Sequence, residues 1–170
     1  MKIILVRHGE SEANAKGISQ GQKLDSPLSK KGLEQAKKVT ERLSEEKIDF
    51  IYSSDLKRAK QTAEIINKEH KLKISFDKRL RERNHGSETT EEHIKRTENF
   101  LKSLDEKMKT VVILAHGETN KMILAISTGS RKKGGKIFRE TTQNNTCINI
   151  VEKEGNKYKI KLINCVKHLV

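Results

Sequence analysis

Two short apolar runs, each closed by His-Gly, constrain this chain more than any other feature. Ile3-Ile4-Leu5-Val6 stops at Arg7-His8-Gly9, and Val111-Val112-Ile113-Leu114-Ala115 stops at His116-Gly117. An apolar run of this length ending at glycine reads as a buried strand opening into a loop. Ligands of open α/β sheets bind at the carboxyl edge of the strands. The two runs therefore predict one edge that receives a fixed cation, Arg7, and two imidazoles, His8 and His116.

The intervening segments supply what such strands need. Ser11 to Asp25 is polar, contains Gly17 and Gly21, and reads as a loop long enough to be functional. Ser29 is placed to cap a helix running to about Glu46, with Leu33, Ala36, Val39, Thr40 and Leu43 as its buried stripe. Asp49 to Ser53 reads as a strand, and Ser54 or Asp55 as the cap of a second helix that turns Ala59, Thr62, Ala63 and Ile66 inward. Leu72 to Phe76 alternates as a strand. Asp77 to Thr90 has charge but no period and reads as a loop, in which Leu80-Arg81-Glu82 alone anchors a carboxylate beside an apolar residue. Glu91 to Met108 carries Ile94, Thr97, Leu101, Leu104 and Met108 on one helical face. A helix from about Thr119 to Thr128 follows the second strong strand, then Ser130 to Lys136 as a basic loop. Cys147 to Val151 and Tyr158 to Cys165 read as strands around a Glu154–Lys157 turn. Strands alternating with helices over most of the length predict an α/β sandwich with a largely parallel sheet.

A length of 170 residues fits one domain, 1–170, with its own core. The 36 basic against 23 acidic residues give a net charge of +13, with lysine spread along the whole chain. Such a surface attracts phosphates, acidic proteins or nucleic acid without choosing among them. The absence of Trp and the scarcity of aromatics argue against nucleic acid as the partner. Cys147 and Cys165 match no metal spacing and read as reduced core thiols. The amino-terminal apolar run is too short for a signal peptide, and no segment is long enough to span a membrane, so the expected location is cytoplasmic.

Taken singly, the polar candidates keep ordinary alternatives open. His8 is a core histidine, a base, a metal ligand or a nucleophile; Arg58, in the first turn of its helix, is a surface arginine or an anion contact; Glu82 is an ion-pairing surface carboxylate or an acid. Together, two arginines and two histidines at strand ends describe a pocket for a dianion. A neutral imidazole can displace the alcohol of a phosphate monoester. Arg7, Arg58 and His116 would stabilise the charge on the equatorial oxygens, and Glu82 would protonate the leaving oxygen. His70, His85, His93 and His168 stand in charged surroundings and read as surface residues, with His85 placed to line the pocket if any of them does. The Arg131–Lys136 run reads as a solvated loop, or as a guide for an acidic substrate if it folds towards the sheet edge.

At this point the chain resembles the histidine phosphatase superfamily, the phosphoglycerate mutase-like proteins. Leu5-Val6-Arg7-His8-Gly9-Glu10-Ser11 resembles the family signature and Leu28-Ser29-Lys30-Lys31-Gly32 its Leu-Ser/Thr-x-x-Gly turn. Ser53-Ser54-Asp55-Leu56-Lys57-Arg58-Ala59 resembles the second motif, Leu80-Arg81-Glu82 the acid-bearing segment and Ala115-His116-Gly117 the last motif. The resemblance implies a three-layer α/β/α sandwich with a mostly parallel central sheet, phosphorylation of His8, phosphate binding by Arg7, Arg58 and His116, and proton donation by Glu82. It also matches Asn14 to an asparagine that approaches the phosphate, and it implies no metal and no organic cofactor. Larger members carry an insertion after the acid segment that covers the substrate; here Glu82 runs almost directly into a helix. The chain thus resembles the short, open members, for which a phosphorylated small molecule or a phosphoprotein is the expected substrate. Mutase-type transfer, which must hold an intermediate away from water, is the second reading. A non-catalytic basic binding module is the third.

Overall fold

The computed structural model describes residues 1–170 as one six-stranded sheet with helices on both faces. In chain order the elements are β1 (Lys2–Arg7), α1 (Glu12–Ala15), α2 (Lys30–Leu43), β2 (Phe50–Ser53), α3 (Lys57–His70), β3 (Ile74–Phe76), α4 (Thr90–Lys102), β4 (Thr110–Ala115), α5 (Gly117–Ile126), α6 (Arg131–Glu140), β5 (Ile148–Glu154) and β6 (Lys157–Cys165). The strand order is β3-β2-β4-β1-β5-β6. The first four strands in that order pair parallel, and the β5–β6 hairpin adds antiparallel to β1. The sandwich and its mostly parallel sheet are as the sequence predicts.

Strand periodicity divides the core in two. Ile3, Leu5, Val111, Ile113 and Ala115 point to one face, where Phe100 and Leu101 of α4 and Ile123 and Leu124 of α5 meet them. Ile4, Val6, Val112 and Leu114 point to the other, against Val39 and Leu43 of α2 and Ala63 and Ile66 of α3. Because successive strand residues face opposite layers, β1 and β4 must be apolar at every position of their buried runs, Ile3–Val6 and Val111–Ala115, to be covered on both sides. This explains why the two runs do not alternate in polarity.

Several local expectations change. The Ser11–Asp25 segment begins with the short α1, whose Ser11 and Asn14 form a reciprocal capping box. Ser29 caps α2 as expected, with its Oγ accepting from Gly32 N, but Leu33 is exposed, and the buried residue of that turn is Gly32, against the Glu10 backbone. Neither Ser54 nor Asp55 caps α3; Leu56 holds the N-cap position, and Asp25 Oδ1 accepts from Lys57 N at 2.7 Å. The 77–90 segment contains a single 3₁₀ turn, Lys78–Leu80. α4 stops at Lys102, so Leu104 and Met108 lie beyond it.

The Ser130–Lys136 loop is instead the start of α6. Ser130 caps it, and Ile137 packs against the core. Its glycines mislead because glycine in a helix costs about 1 kcal/mol relative to alanine. Gly134 is there for contact: a Cβ would sit 2.7 Å from the carbonyl oxygen of Ala125 in α5. Cys147 and Cys165 are both free; Cys165 lies opposite Ile148 across the hairpin, and burial pushes the Cys147 thiol up to about 11. No helix is long and apolar enough to cross a membrane.

Candidate active site

β1 and β4 are adjacent and parallel, with Arg7 opposite Ala115, so their ends deliver His8 and His116 side by side. The ring centroids are 5.1 Å apart, and both residues are almost wholly buried. Gly9 lets the chain leave β1 in direct contact with the backbone of Gly32 in α2. Its amide donates to Thr62 Oγ1 of α3 at 3.1 Å, and that hydroxyl donates to the Arg58 carbonyl at 2.8 Å. The His8 loop is thereby tied to the helix that carries Arg58.

His8 Nδ1 is 2.7 Å from the carbonyl oxygen of Gly9. A carbonyl only accepts, so the proton resides on Nδ1 and the lone pair on Nε2. Arg58 Nε donates to that Nε2 at 3.3 Å. Burial, and then the positive charges of Arg7 and Arg58, hold the His8 pKa well below the ordinary imidazole value, against the opposing pull of the Gly9 carbonyl. The ring is neutral and presents Nε2 to the Arg58 guanidinium.

Arg58 is 1% exposed, an unusual burial for a cation, and its charge is met from the Gly17–Asp25 segment. Its Nη2 donates to Gly21 O at 2.8 Å and its Nη1 to Leu24 O at 3.4 Å, with the Asp25 carboxylate 3.8 Å away. Arg7 Nη1 donates to Gln143 O, while its Nε is buried with no partner. His116 Nε2 lies 2.8 Å from Ser54 Oγ, and that hydroxyl accepts from Leu56 N at 3.3 Å. A hydroxyl has one proton and two lone pairs, so Ser54 can accept from Leu56 N and either donate to Nε2 or accept from it. When it donates, Nδ1 is the N–H, buried and unpartnered. Burial, then His8, Arg58 and Arg7, keep His116 neutral as well. Arg7 Nε and His116 Nδ1 are thus left without protein partners near the neutral His8 ring.

Glu82 joins them from the segment before α4. Its carboxylate accepts from the amides of Glu118 and Thr119 at the start of α5, each at 3.2 Å, and from Arg83 N at 3.1 Å. It thus sits at the positive end of the helix that begins with His116-Gly117. Burial of the carboxyl group raises its pKa, the Arg83 and Glu118 amides oppose this, the Glu118 carboxylate reinforces it and Arg7 opposes it. Arg81, beside it, holds Asp55 by two bonds of 2.6 and 2.7 Å, joining the acid segment to the loop before α3.

The structure brings Arg7, His8, Arg58, Glu82 and His116 together. Asn14 lies at the edge of the group: its Oδ1 accepts from Ser11 N at 3.2 Å and from Asn145 Nδ2 at 3.4 Å, and Asn145 Nδ2 also donates to His8 O at 3.2 Å. His93 is not a surface residue. It is fully buried, with Nε2 3.2 Å from Thr119 Oγ1, because its position in the first turn of α4 faces α5 although its sequence neighbours are charged. His85 is exposed and lies 2.7 Å from Glu118 Oε1. Sequence reasoning missed Asp25, Ser54, Thr119 and Asn145 as supports. Only Ser54 had a local signal, since it stands between a strand end and Arg58 in one motif.

Comparison with known proteins identifies the family and the fold. The family model described as "Histidine phosphatase superfamily (branch 1)" matches residues 3–88 and 83–166. Phosphoglycerate mutase-like protein 4 of Arabidopsis thaliana is 32% identical over 206 residues, covering 99% of this chain and 86% of that protein. Probable phosphoglycerate mutase GpmB of Salmonella choleraesuis is 50% identical over 86 residues, which is 51% of this chain and 40% of that protein. Among solved structures, a putative alpha-ribazole-5'-P phosphatase from Escherichia coli superposes with a TM-score of 0.88 at 19% identity, covering 97% of each chain.

Proposed function

This chain belongs to the histidine phosphatase superfamily, and on that premise we propose that it is a metal-independent phosphomonoester hydrolase working through a phosphohistidine on His8. One observation carries the reading: a buried neutral imidazole whose Nδ1 proton is held by Gly9 O, so that Nε2 faces the Arg58 guanidinium. In this reading His8 Nε2 attacks phosphorus as the bond to the leaving oxygen breaks, and the Glu82 carboxyl gives that oxygen its proton. Arg7, Arg58 and His116 Nδ1 hold the equatorial oxygens, where charge develops, and Asn14 contacts the phosphate from the edge. Water then attacks the phosphohistidine, its proton returns to Glu82, and the P–N bond breaks to regenerate His8. The raised Glu82 pKa suits a group that must be acid in one step and base in the next. Two guanidinium groups beside the imidazoles favour an anion over a cation at this spot.

Hydrolysis is preferred to mutase transfer because of the short connection after Glu82. Only residues 83–89 separate it from α4. The two parts of the family match meet at 83–88, and the alignment to the Arabidopsis protein is longer than this chain. Both are what an insertion absent here would produce, and an open site admits water. A phosphorylated small molecule or an exposed phosphorylated side chain is the proposed substrate class. Turnover of 4-nitrophenyl phosphate that withstands a chelator and disappears in His8→Ala is expected; an active His8→Ala variant refutes the mechanism.

A further inference from the structure

In a segment with no cap to brace it, something must hold the acid, and the structure assigns that task to Arg96: we propose that Arg96, paired with Glu88, is the positioning residue for Glu82. Arg96 lies on α4, two turns past its start, with its side chain mostly buried. Its guanidinium makes four bonds, all to the acid segment. Nη1 donates to Arg79 O at 2.6 Å and Nη2 to Glu82 O at 3.3 Å, while Nε and Nη2 grip the two oxygens of Glu88, the latter at 3.0 Å. Glu88 Oε2 in turn accepts from Asn84 N at 3.1 Å, which closes the 84–88 turn.

A single planar fork therefore holds the backbone before Glu82, at Glu82 and after it. Lysine cannot reproduce this, since an ammonium is a point charge without the two-dimensional fork. No hydrogen bond of Arg96 reaches His8, Arg58 or His116, so its positioning effect passes through Glu82, while its charge is the smallest of the named influences that lower the His116 pKa. The Gln22 side chain donates to the same Glu82 carbonyl at 2.7 Å and holds that one point only.

The proposal rests on Glu82 being the proton donor, and the test separates the two claims. A nitrophenolate leaves without a proton, whereas an alkoxide does not. kcat/KM, which reports phosphoryl transfer to His8, is measured for 4-nitrophenyl phosphate and for a simple alkyl phosphate in wild type, Glu82→Gln, Arg96→Met, Arg96→Lys and Glu88→Gln. Misplacing a catalytic group by about 1 Å can cost roughly a hundredfold. Arg96→Met is expected to lose roughly ten- to a hundredfold on the alkyl substrate. It should stay within about a factor of three on the aryl one, with Arg96→Lys and Glu88→Gln between it and wild type. Retained aryl turnover is itself the control for folding, and if Arg96→Met does not fold, Arg96→Lys and Glu88→Gln carry the comparison. Equal losses on both substrates, with Glu82→Gln still selective, would make Arg96 structural only and overturn the proposal. A Glu82→Gln variant that is itself unselective removes the proton-donor reading and the proposal with it.

Discussion

Each histidine in this core is held neutral, and the protein uses that neutrality in two ways. At His8 it leaves a lone pair on Nε2. At His93 it makes a fully buried connection to Thr119 compatible with an apolar setting, although its Nδ1 has no partner. Burial, reinforced by Arg96, lowers the His93 pKa from 6.5 to about 4. The sign of the consequence follows. Above pH 6.5 both folded and unfolded chains carry a neutral His93. As pH falls from there toward about 4 the unfolded chain binds the proton and the folded one does not, so stability is lost across that window. At pH 5 the loss assigned to this residue is roughly 2 kcal/mol, at about 1.4 kcal/mol per pH unit. Urea unfolding of wild type and His93→Gln at pH 7 and pH 5 measures it. The wild type should lose more stability than the variant over that step; equal losses would refute the assignment. Little of this was visible in the sequence, where Glu91, Glu92, Lys95 and Arg96 give His93 the look of a surface residue. Its burial depends on Thr119, which the chain reaches only after another strand.

At the scale of elements, the site depends on helices approaching the sheet edge closely enough to touch backbone to backbone. The start of α2 lies against the loop leaving β1: Ser29 N donates to Glu10 O at 2.9 Å, and a Cβ on Gly32 would overlap the Glu10 carbonyl oxygen. Gly32 is thus a spacer that sets where Gly9 and His8 lie, and not merely a turn residue. Gly32→Ala is expected to destabilise the fold by roughly 1–3 kcal/mol, the range for overpacking. It should also lower kcat/KM by more than the distant surface change Lys37→Ala. Thermal unfolding with steady-state kinetics checks both, and a Gly32→Ala protein with unchanged stability and activity contradicts the account. Element types were largely legible because amphipathic stripes and apolar strands are local patterns; Ser29 as the α2 cap is an instance. The exceptions have one cause. Ser54 and Asp55 carry good capping side chains, yet His116 and Arg81 recruit them, and Asp25 from a distant loop takes over the cap. α6 was hidden because Gly134 serves a contact with α5 that no local rule reveals.

For the molecule as a whole, the net charge of +13 surrounds a pocket whose proposed ligand is a dianion. A positive surface speeds the encounter with such a ligand, and salt shortens its reach from about 30 Å at 0.01 M to about 8 Å at 0.15 M. kcat/KM for an aryl phosphate is expected to fall several-fold over that range with kcat nearly constant; a salt-independent kcat/KM would detach the surface charge from function. The charge was plain in the composition, and the five proposed catalytic and binding residues Arg7, His8, Arg58, Glu82 and His116 each stood in a short motif. Their convergence was readable because strand ends of a parallel sheet share an edge. What braces them was not readable, because Asp25 and Asn145 act on partners far away in sequence and Arg96 reaches across from its helix to a loop with no period of its own. The central claim is that His8 becomes phosphorylated. Rapid acid-free quenching during turnover of a phosphomonoester, followed by peptide mass spectrometry, tests it most directly. A phosphoryl group on the peptide containing His8, absent from His8→Ala, is the predicted result; full turnover with no phosphorylated His8, or with the label on another residue, would contradict it.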